Sequence, residues 1–354
     1  KLGDLFSVGR VQTAVLSMLA MRRKEIDKFA AEKYYLIKAK FRFNTDIIQA
    51  TWFQTNEKDQ SKSSKVKKKQ VAESIIDECG SKTVKVKEVI KKRNSHRPPQ
   101  LLSLTELQRI ANIKYGFSAK KTLSIAQDLY EKNKCLSYPR TDARVLGDSS
   151  LPQVREIIKD LKKFMPEYYK YLDDEKVSLR NKLVFNDAKL TDHHALIPLK
   201  KFNGDLKTDH GKIFDLVLRR FLAAFSANYI FESTTIIFNC DKHLFKADGK
   251  KILSSGWTFL VKEEVEQKIP LIIKGDEGNI NEMKLIESFT LPPAEYTEAS
   301  LLGDMVNPAR LVEQKEYKQL FRGEVGLGTQ ATRAQIIETL IKRNYVKRNK
   351  KNLI

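Results

Sequence analysis

A tyrosine beside a proline offers the clearest chemistry in this sequence, in the segment Leu136-Ser137-Tyr138-Pro139-Arg140-Thr141-Asp142. Proline restricts the preceding residue to extended conformations, so Tyr138 is expected in an exposed turn. A phenol with a pKa of about 10 attacks a phosphate only when a nearby cation stabilises the developing charge, and Arg140 could do this. The segment fits phosphoryl transfer, but a tyrosine that merely packs a turn beside a solvated arginine fits it too.

Two adjacent histidines, His193 and His194, lie in the segment Thr-Asp-His-His-Ala-Leu-Ile-Pro at 191–198. His193 could donate to a phosphoryl oxygen or to a leaving hydroxyl. Metal binding is the weaker alternative, because adjacent side chains of an extended segment point to opposite sides and no cysteine or further histidine stands nearby. A histidine pair that only holds a loop is the third interpretation.

Two glycine-containing turns each open a predicted helix with arginine and hydroxyl side chains in its first turn. They are Ser7-Val8-Gly9-Arg10-Val11-Gln12-Thr13 and Gly326-Leu327-Gly328-Thr329-Gln330-Ala331-Thr332-Arg333. Helix N-termini with a flanking arginine bind phosphate readily. The second turn lacks the Lys-Ser/Thr ending of a nucleotide P-loop, so we do not interpret it as an ATP site. Contact with a phosphate backbone fits both turns, and so does a plain helix start.

The elements that must position these residues alternate between helical and β-rich stretches. Apolar residues at helical spacing predict a helix over 7–29, and period-two alternation predicts antiparallel strands at 34–53 and 83–90. The lysines between Lys62 and Lys69 indicate a loop between the strands. The basic, proline-containing stretch 91–99 predicts a link and a domain boundary.

Helical patterns dominate from Leu104, where one helix should end near Gly116 and Ser118 should cap the next, as in a helix-turn-helix. Strands are predicted again at 229–238 and 252–261, and helices after Pro292-Pro293. This nested order indicates a chain that goes out through two layers and returns, so that each outer domain is built from two separated segments.

Composition favours a polyanionic partner, because 65 Lys and Arg face 44 Asp and Glu among 354 residues, a formal net charge of +21. No run of about 18 apolar residues predicts a membrane span. Cys79, Cys135 and Cys240 lie far apart and match no disulfide or zinc pattern, which indicates a reducing cytoplasm. The opening Lys1-Leu2-Gly3 lacks an initiating methionine, so the sequence is expected to begin inside a longer protein.

Taken in order, the motifs resemble those of the type IA DNA topoisomerases, and of topoisomerase III in particular. The matching segments are Ser7 to Thr13, Leu104 to Gln108, Ala126 to Glu131, Ser137 to Asp142, Asp192 to Ala195, Asn307 to Leu311 and Gly326 to Arg333. The resemblance implies a mixed α and β, multidomain, toroidal fold with discontinuous domains. Residues 1–32 and 291–354 would form a helical domain with a single-strand groove, 33–97 and 226–290 a β-rich arch, and 98–225 a helical, winged-helix-like domain bearing the tyrosine.

The resemblance also implies an ATP-independent reaction in which single DNA strands are cleaved, passed and resealed through a 5′-phosphotyrosine. Tyr138 would be the nucleophile, with Arg140 and His193 as the other catalytic residues. Further DNA-binding positions would be Arg10, Gln12, Thr13, Asp142, Arg144, His194, Thr332 and Arg333. The expected partners are single-stranded DNA and negatively supercoiled or catenated DNA, acted on by a monomer in the bacterial cytoplasm, with no membrane association.

Two positions depart from the family pattern: Ala143 stands where serine is frequent, and Gln330 where proline is usual. The family's TOPRIM domain, with its Mg²⁺ ligands, is expected before Lys1. No metal or other cofactor site is therefore predicted in this chain, which is expected to cleave DNA poorly alone.

The main rival interpretation is a non-enzymatic duplex-DNA binder that uses residues 104–132 as a helix-turn-helix. A tyrosine recombinase ranks last, because its motif order does not match.

Overall fold

The computed structural model describes residues 9–55, 62–80, 82–170, 172–190, 192–262, 264–311 and 326–354. Over these ranges the chain is mixed α and β, as predicted. The helices are α1 (Arg10–Asp27), α2 (Lys69–Cys79), α3 (Leu104–Tyr115), α4 (Ala119–Glu131), α5 (Leu151–Phe164), α6 (Asp209–Ala224), α7 (Thr258–Val261), α8 (Glu298–Val306) and α9 (Arg333–Lys342). The strands are β1 (Lys33–Phe43), β2 (Asp46–Thr55), β3 (Lys62–Ser63), β4 (Thr83–His96), β5 (Tyr229–Cys240), β6 (His243–Ser254), β7 (Glu277–Phe289), β8 (Tyr296–Thr297), β9 (Arg348–Asn349) and β10 (Asn352–Leu353). None of these helices has the length and apolar character needed to span a membrane.

The large sheet closes on itself. Strands β1, β7, β4, β5, β6 and β2 pair in that order, β2 also pairs with β1, and the pairings are antiparallel. Aromatic side chains fill the interior, where the Phe41 ring meets those of Phe238 and Phe245 edge to face at centroid distances of 5.1 and 5.2 Å. The strands predicted at 34–53, 83–90 and 229–238 are thus confirmed.

Two predictions along the sheet are wrong. Strand β4 continues to His96 and pairs with β5 as far as Tyr229, so most of 91–99 is strand and not a link. Strand β6 ends at Ser254, and the chain turns at Gly256 (φ +46°) into α7, where a continuous strand had been predicted over 252–261.

The lysine-rich stretch is also more ordered than predicted. Lys62 and Ser63 form β3, and α2 begins at Lys69. Helix α2 buries Ala72, Ile75 and Cys79 against the sheet, and this burial explains why a segment with a basic start forms a helix. Residues 56–61 of the predicted loop lie outside the described residues.

The predicted helix-turn-helix-like unit is confirmed. Helix α3 ends at Tyr115 and is capped by Gly116 in a left-handed conformation (φ 70°). The Ser118 side chain accepts a hydrogen bond from the backbone N–H of Lys121 and so caps α4. Helix α6 packs beneath both helices and is buried along most of its length. Its Phe214 and Phe221 are fully buried, so α6 forms the centre of this unit.

Buried apolar side chains form three clusters. The helical core draws on residues between Leu101 and Phe225, together with Leu260. The sheet core draws on residues between Tyr35 and Val86 and between Ile236 and Ile272. The third core joins Val15 to residues 296–353. The three clusters are built from segments that are separated in the sequence, and the division into domains with its boundaries stays a prediction.

Polar contacts join the helical core to the third core. The buried Glu298 carboxylate accepts a hydrogen bond from the backbone N–H of Ala119 at 2.7 Å. Arg109 Nε donates to the carbonyl oxygen of Ala299 at 3.2 Å, and the Ala299 N–H donates to the Asn112 side chain at 3.1 Å. The two cores therefore meet through directional hydrogen bonds in addition to apolar contact.

Candidate active site

A short pairing of two segments positions Tyr138. The Ser137 N–H donates to the Ile197 carbonyl at 3.0 Å, and the Ile197 N–H donates back to Ser137 Oγ at 3.0 Å. Leu136 forms an isolated antiparallel bridge with Pro198. The tyrosine loop and the histidine segment are therefore fixed to each other by their backbones.

This pairing brings Tyr138 and the histidines into one cleft. The rings of Tyr138 and His193 lie 4.7 Å apart between centroids, at 50° to each other. The Nδ1 atom of His194 lies 2.8 Å from the carbonyl oxygen of Ala195. The cleft has a volume of about 260 Å³, and its lining residues are Tyr138, Gly147, Ser149, Ser150, Leu190, Asp192, His193 and His194. A half-buried phenol beside an exposed imidazole is an arrangement that can exchange a proton with a bound substrate.

The loop after Tyr138 carries the other predicted residues in different environments. Arg140 is exposed, and no ion pair or hydrogen bond of its side chain is found within the described ranges. Asp142 is exposed. Burial lowers the pKa of Arg333, and the negative charge of Asp142 partly opposes this effect. Arg144 is half-buried, and its Nε donates to the Leu101 carbonyl at 3.3 Å.

The residues predicted at the second glycine turn lie where the helical core meets the third core. Arg333, only 6% exposed, donates to the Leu327 carbonyl and to Thr105 Oγ1. Thr332 Oγ1 accepts a hydrogen bond from the Thr329 N–H at 2.8 Å. The unusual Gln330 accepts a hydrogen bond from the Thr105 N–H at 2.9 Å.

Arg10, Gln12 and Thr13 lie in the first turn of α1, and none of them lines the tyrosine cleft. Gln12 Oε1 accepts a hydrogen bond from Arg343 at the end of α9. Ser7 and Val8 of this motif, and Thr191 of the histidine segment, lie outside the described residues. DNA binding by Arg10, Gln12 and Thr13 stays a prediction.

Several residues in or beside the cleft were not predicted from the sequence. The Tyr130 ring meets the Tyr138 ring edge to face at a centroid distance of 5.6 Å, and Ser149 and Ser150 line the cleft. Nothing in the local sequence marks Tyr130 or the two serines as neighbours of Tyr138. The place of the serines depends on the loop 145–150, which is held by the hydrogen bond from the Leu146 N–H to the Val184 carbonyl.

The part of the chain that the structure describes contains no group of three His, Cys, Asp or Glu side chains placed to bind a metal ion. The cleft offers one carboxylate, Asp192. Mg²⁺ prefers several oxygen ligands in octahedral geometry, so this donor set does not fit the ion.

Comparisons with known proteins agree on one family. A family model described as DNA topoisomerase matches residues 1–354. A DNA topoisomerase 3 from Bacillus cereus is 36% identical over 361 residues, which cover 98% of this chain and 48% of the relative. The DNA topoisomerase 3 of Vibrio cholerae is 32% identical over 360 residues, which cover 98% of this chain and 56% of that relative. The chain therefore spans about half the length of the curated relatives it matches.

A solved structure shows the same fold. Full-length topoisomerase I from Thermotoga maritima aligns with a TM-score of 0.73 and 25% identity, over 99% of this chain and 54% of that chain. The match confirms the mixed α and β architecture expected from the motifs. Together with the family model and the curated relatives, it establishes that the chain belongs to the type IA DNA topoisomerases.

Proposed function

We propose that this chain is the tyrosine-bearing part of an enzyme that cleaves, passes and reseals single DNA strands. The observation that carries the proposal is the cleft in which the Tyr138 and His193 rings lie 4.7 Å apart, in a chain of this family. The relatives named above are all topoisomerases, so the non-enzymatic duplex-binder interpretation gains no support from them.

The reaction is a transesterification at a DNA phosphate. The Tyr138 oxygen bonds to phosphorus as the bond to the 3′-oxygen breaks, and the phenolic proton is lost while the leaving oxygen gains one as a 3′-hydroxyl. The product is a 5′-phosphotyrosine, which keeps the energy of the broken ester. Resealing is the reverse attack by the 3′-hydroxyl, so ATP is not required.

We assign the protein groups by their positions. His193 lies against the Tyr138 ring, where its imidazole can hold or transfer the proton that the reaction moves. Arg140 projects from the same loop as an exposed cation, available to the phosphoryl oxygens as negative charge develops. His194 lines the cleft and is assigned to DNA contact.

We assign the remaining positions to contacts with the DNA strand that leads into the cleft. Arg10, Gln12 and Thr13 lie in the first turn of α1, and Thr332 and Arg333 lie at the start of α9. Helix N-termini and arginines are common contacts of phosphate groups. Asp142 and Arg144 continue the same path along the tyrosine loop.

We further propose that the substrates are single-stranded regions of negatively supercoiled or catenated DNA, handled by a monomer in the cytoplasm. Mg²⁺ would be bound by ligands other than the described residues, because their donor set does not fit it.

The test uses the protein that carries this sequence, at its full natural length, incubated with labelled single-stranded DNA and Mg²⁺. Wild type should give a covalent adduct on a denaturing gel, and Tyr138→Phe should give none, because the nucleophilic oxygen is gone. Tyr130→Phe is the matched control. The ring centroid of this second phenol lies 5.6 Å from that of Tyr138, and its hydroxyl should be dispensable for the adduct. The proposal is contradicted if Tyr138→Phe still forms the adduct, or if the folded wild-type protein forms none.

A further inference from the structure

A half-buried arginine beside the helical core has no acidic partner among the described residues. Arg220 lies on α6, and its Nη1 donates to the Gln100 carbonyl at 3.3 Å. Its Nε is buried and has no hydrogen-bond partner within the described ranges. Removing a charged group from water without a counter-ion is costly, so this arrangement calls for a compensating anion.

A second guanidinium lies beside the first. Arg144 Nε donates to the carbonyl of Leu101, the residue next to the one that receives Arg220. Burial first, and then the neighbouring Arg144 charge, lower the pKa of Arg220 to about 10, while Glu106 opposes them. Guanidinium groups are cationic in proteins, so two like charges are held together at neighbouring carbonyls.

The nearby Glu106 carboxylate does not neutralise the two arginines. Glu106 is paired with Arg109, one turn along α3, and no carboxylate of the described residues forms an ion pair with Arg144 or Arg220. Arg219, the next residue on α6, shows the contrast, because its Nε donates to both oxygens of Asp215 at 2.8 and 2.7 Å. Asp215 neutralises Arg219, whereas no carboxylate of the described residues neutralises Arg220.

We propose that Arg144 and Arg220 together bind one phosphate of the DNA backbone, at a position next to the loop that carries Tyr138. Both side chains are half-buried and remain partly accessible. Guanidinium groups present planar arrays of donors that match phosphate oxygens, and two of them around one phosphate would neutralise its charge. The inference rests on the proposed function and adds to it a residue, Arg220, that lies outside the motifs of the tyrosine and histidine segments.

The location agrees with a DNA path. Residues 101–105 link the arginine pair to the cleft, because the Leu104 N–H donates to the Thr141 carbonyl and Leu102 bridges Leu196 in the histidine segment. On the other side, Thr105 Oγ1 accepts a hydrogen bond from Arg333 at 3.2 Å. Arg144 and Arg220 thus lie between the tyrosine cleft and the start of α9, and we assign residues of both to contacts with the DNA strand.

The experiment measures binding of the full-length protein to single-stranded oligonucleotides as a function of salt, without Mg²⁺, so that cleavage does not contribute. Arg220→Gln should weaken binding about tenfold and reduce the slope of log K against log salt by about 0.7, the value for one phosphate contact to a single strand. Arg220→Lys should keep most of the slope. Arg155→Gln removes the same charge from the exposed face of α5 and should change both quantities little.

Two further measurements separate a shared phosphate from a general loss of charge or of folding. Replacing one phosphate at a time by an uncharged methylphosphonate should identify one position that weakens wild type much more than Arg220→Gln, in which only Arg144 remains to contact that phosphate. The Arg144→Gln, Arg220→Gln double variant should lose much less than the sum of the single losses, because both arginines act on one group. Circular dichroism and thermal unfolding establish that each variant is folded, and if Arg220→Gln is not, Arg144→Gln takes its place.

The inference is overturned if Arg220→Gln binds DNA as wild type does, or loses no more than Arg155→Gln. It is also overturned if no methylphosphonate position distinguishes the variant from wild type. A normal Tyr138 adduct with such a result means that this inference alone has failed, whereas no adduct from wild type means that the proposed function has failed.

Discussion

At the scale of single residues, Glu264 joins the segment after α7 to strands β5 and β6. Its carboxylate accepts hydrogen bonds from Lys250 and Lys262, and one from Tyr229 Oη at 3.2 Å. These lysines, Lys250 first, lower the pKa of Glu264 from its ordinary value of 4.5 to about 2. A depressed pKa in the folded state stabilises the protein above the unfolded value, and this stability is lost as the pH falls from about 4.5 to about 2.

Glu264→Gln should therefore lower the free energy of unfolding at neutral pH by about 1.5–3 kcal/mol, the usual contribution of hydrogen bonds to a charged group. It should also flatten the decline in stability between pH 4.5 and pH 2. Urea unfolding across this pH range measures both effects. Glu156→Gln, an exposed carboxylate on α5, serves as the control, and an equal effect of the two changes would contradict the assignment.

Sequence motifs are a good guide to individual residues when the chemistry is local. The family resemblance implies catalytic roles for Tyr138 and His193, and the structure places both residues in one cleft. Arg220 could not be predicted, because its missing counter-ion depends on how α6 packs against Gln100 and Arg144, which lie far away in the sequence. The Asp215 that neutralises Arg219 is one helical turn away, a spacing that can be read directly.

At the scale of elements, the start of α4 depends on the Ser118 cap. The Ser118 hydroxyl accepts a hydrogen bond from the Lys121 N–H at 3.1 Å, which satisfies one of the free donors of the first turn. Ser118→Ala should cost about 1 kcal/mol in global stability, measured by chemical denaturation. Ser124→Ala, at an exposed position within the same helix, should be neutral or slightly stabilising, since alanine favours helix interiors. Equal losses in both variants would refute the capping role.

Elements were predictable where local pattern and tertiary packing agree. The caps and the left-handed Gly116 that bound α3 and α4 belong to the local sequence, and these helices were predicted correctly. The end of β6 was not, because its strand-like composition continues past the point where the chain turns. A side chain at Gly256 would approach the Asn228 carbonyl oxygen to 2.3 Å, and Leu260 in α7 is buried in the helical core. The close approach at Gly256 and the burial of Leu260 both depend on residues that lie far away in the sequence and come near only in the folded chain.

At the scale of the whole molecule, the Gln330 side chain forms a contact between two of the cores. The family usually has proline at the position of Gln330, and proline has no side-chain acceptor. Here Gln330 accepts hydrogen bonds from the N–H and the hydroxyl of Thr105, a residue that is 1% exposed. The side chain thus fastens the third core to the first turn of α3.

Gln330→Ala should leave the buried Thr105 N–H without its hydrogen-bond acceptor. The packing of the third core against α3 should then be less stable by about 1–3 kcal/mol. Hydrogen–deuterium exchange should then become faster in peptides that cover 103–110, while the sheet is unaffected. Gln335→Ala removes an exposed glutamine from α9 and should leave these rates unchanged. Unaltered exchange in Gln330→Ala would show that the contact does not hold the cores together.

The nested chain path has a consequence for how this molecule can be taken apart. The helical unit leaves the sheet at the end of β4 and returns at the start of β5, and the two flanking residues, His96 and Tyr229, are direct partners in the same antiparallel ladder. Opposite residues in such a ladder lie about 5 Å apart, a gap that a two-residue turn can bridge. Residues 97–228 are therefore a cassette with adjoining ends, which can be exchanged as one piece without altering the register of any strand in the barrel.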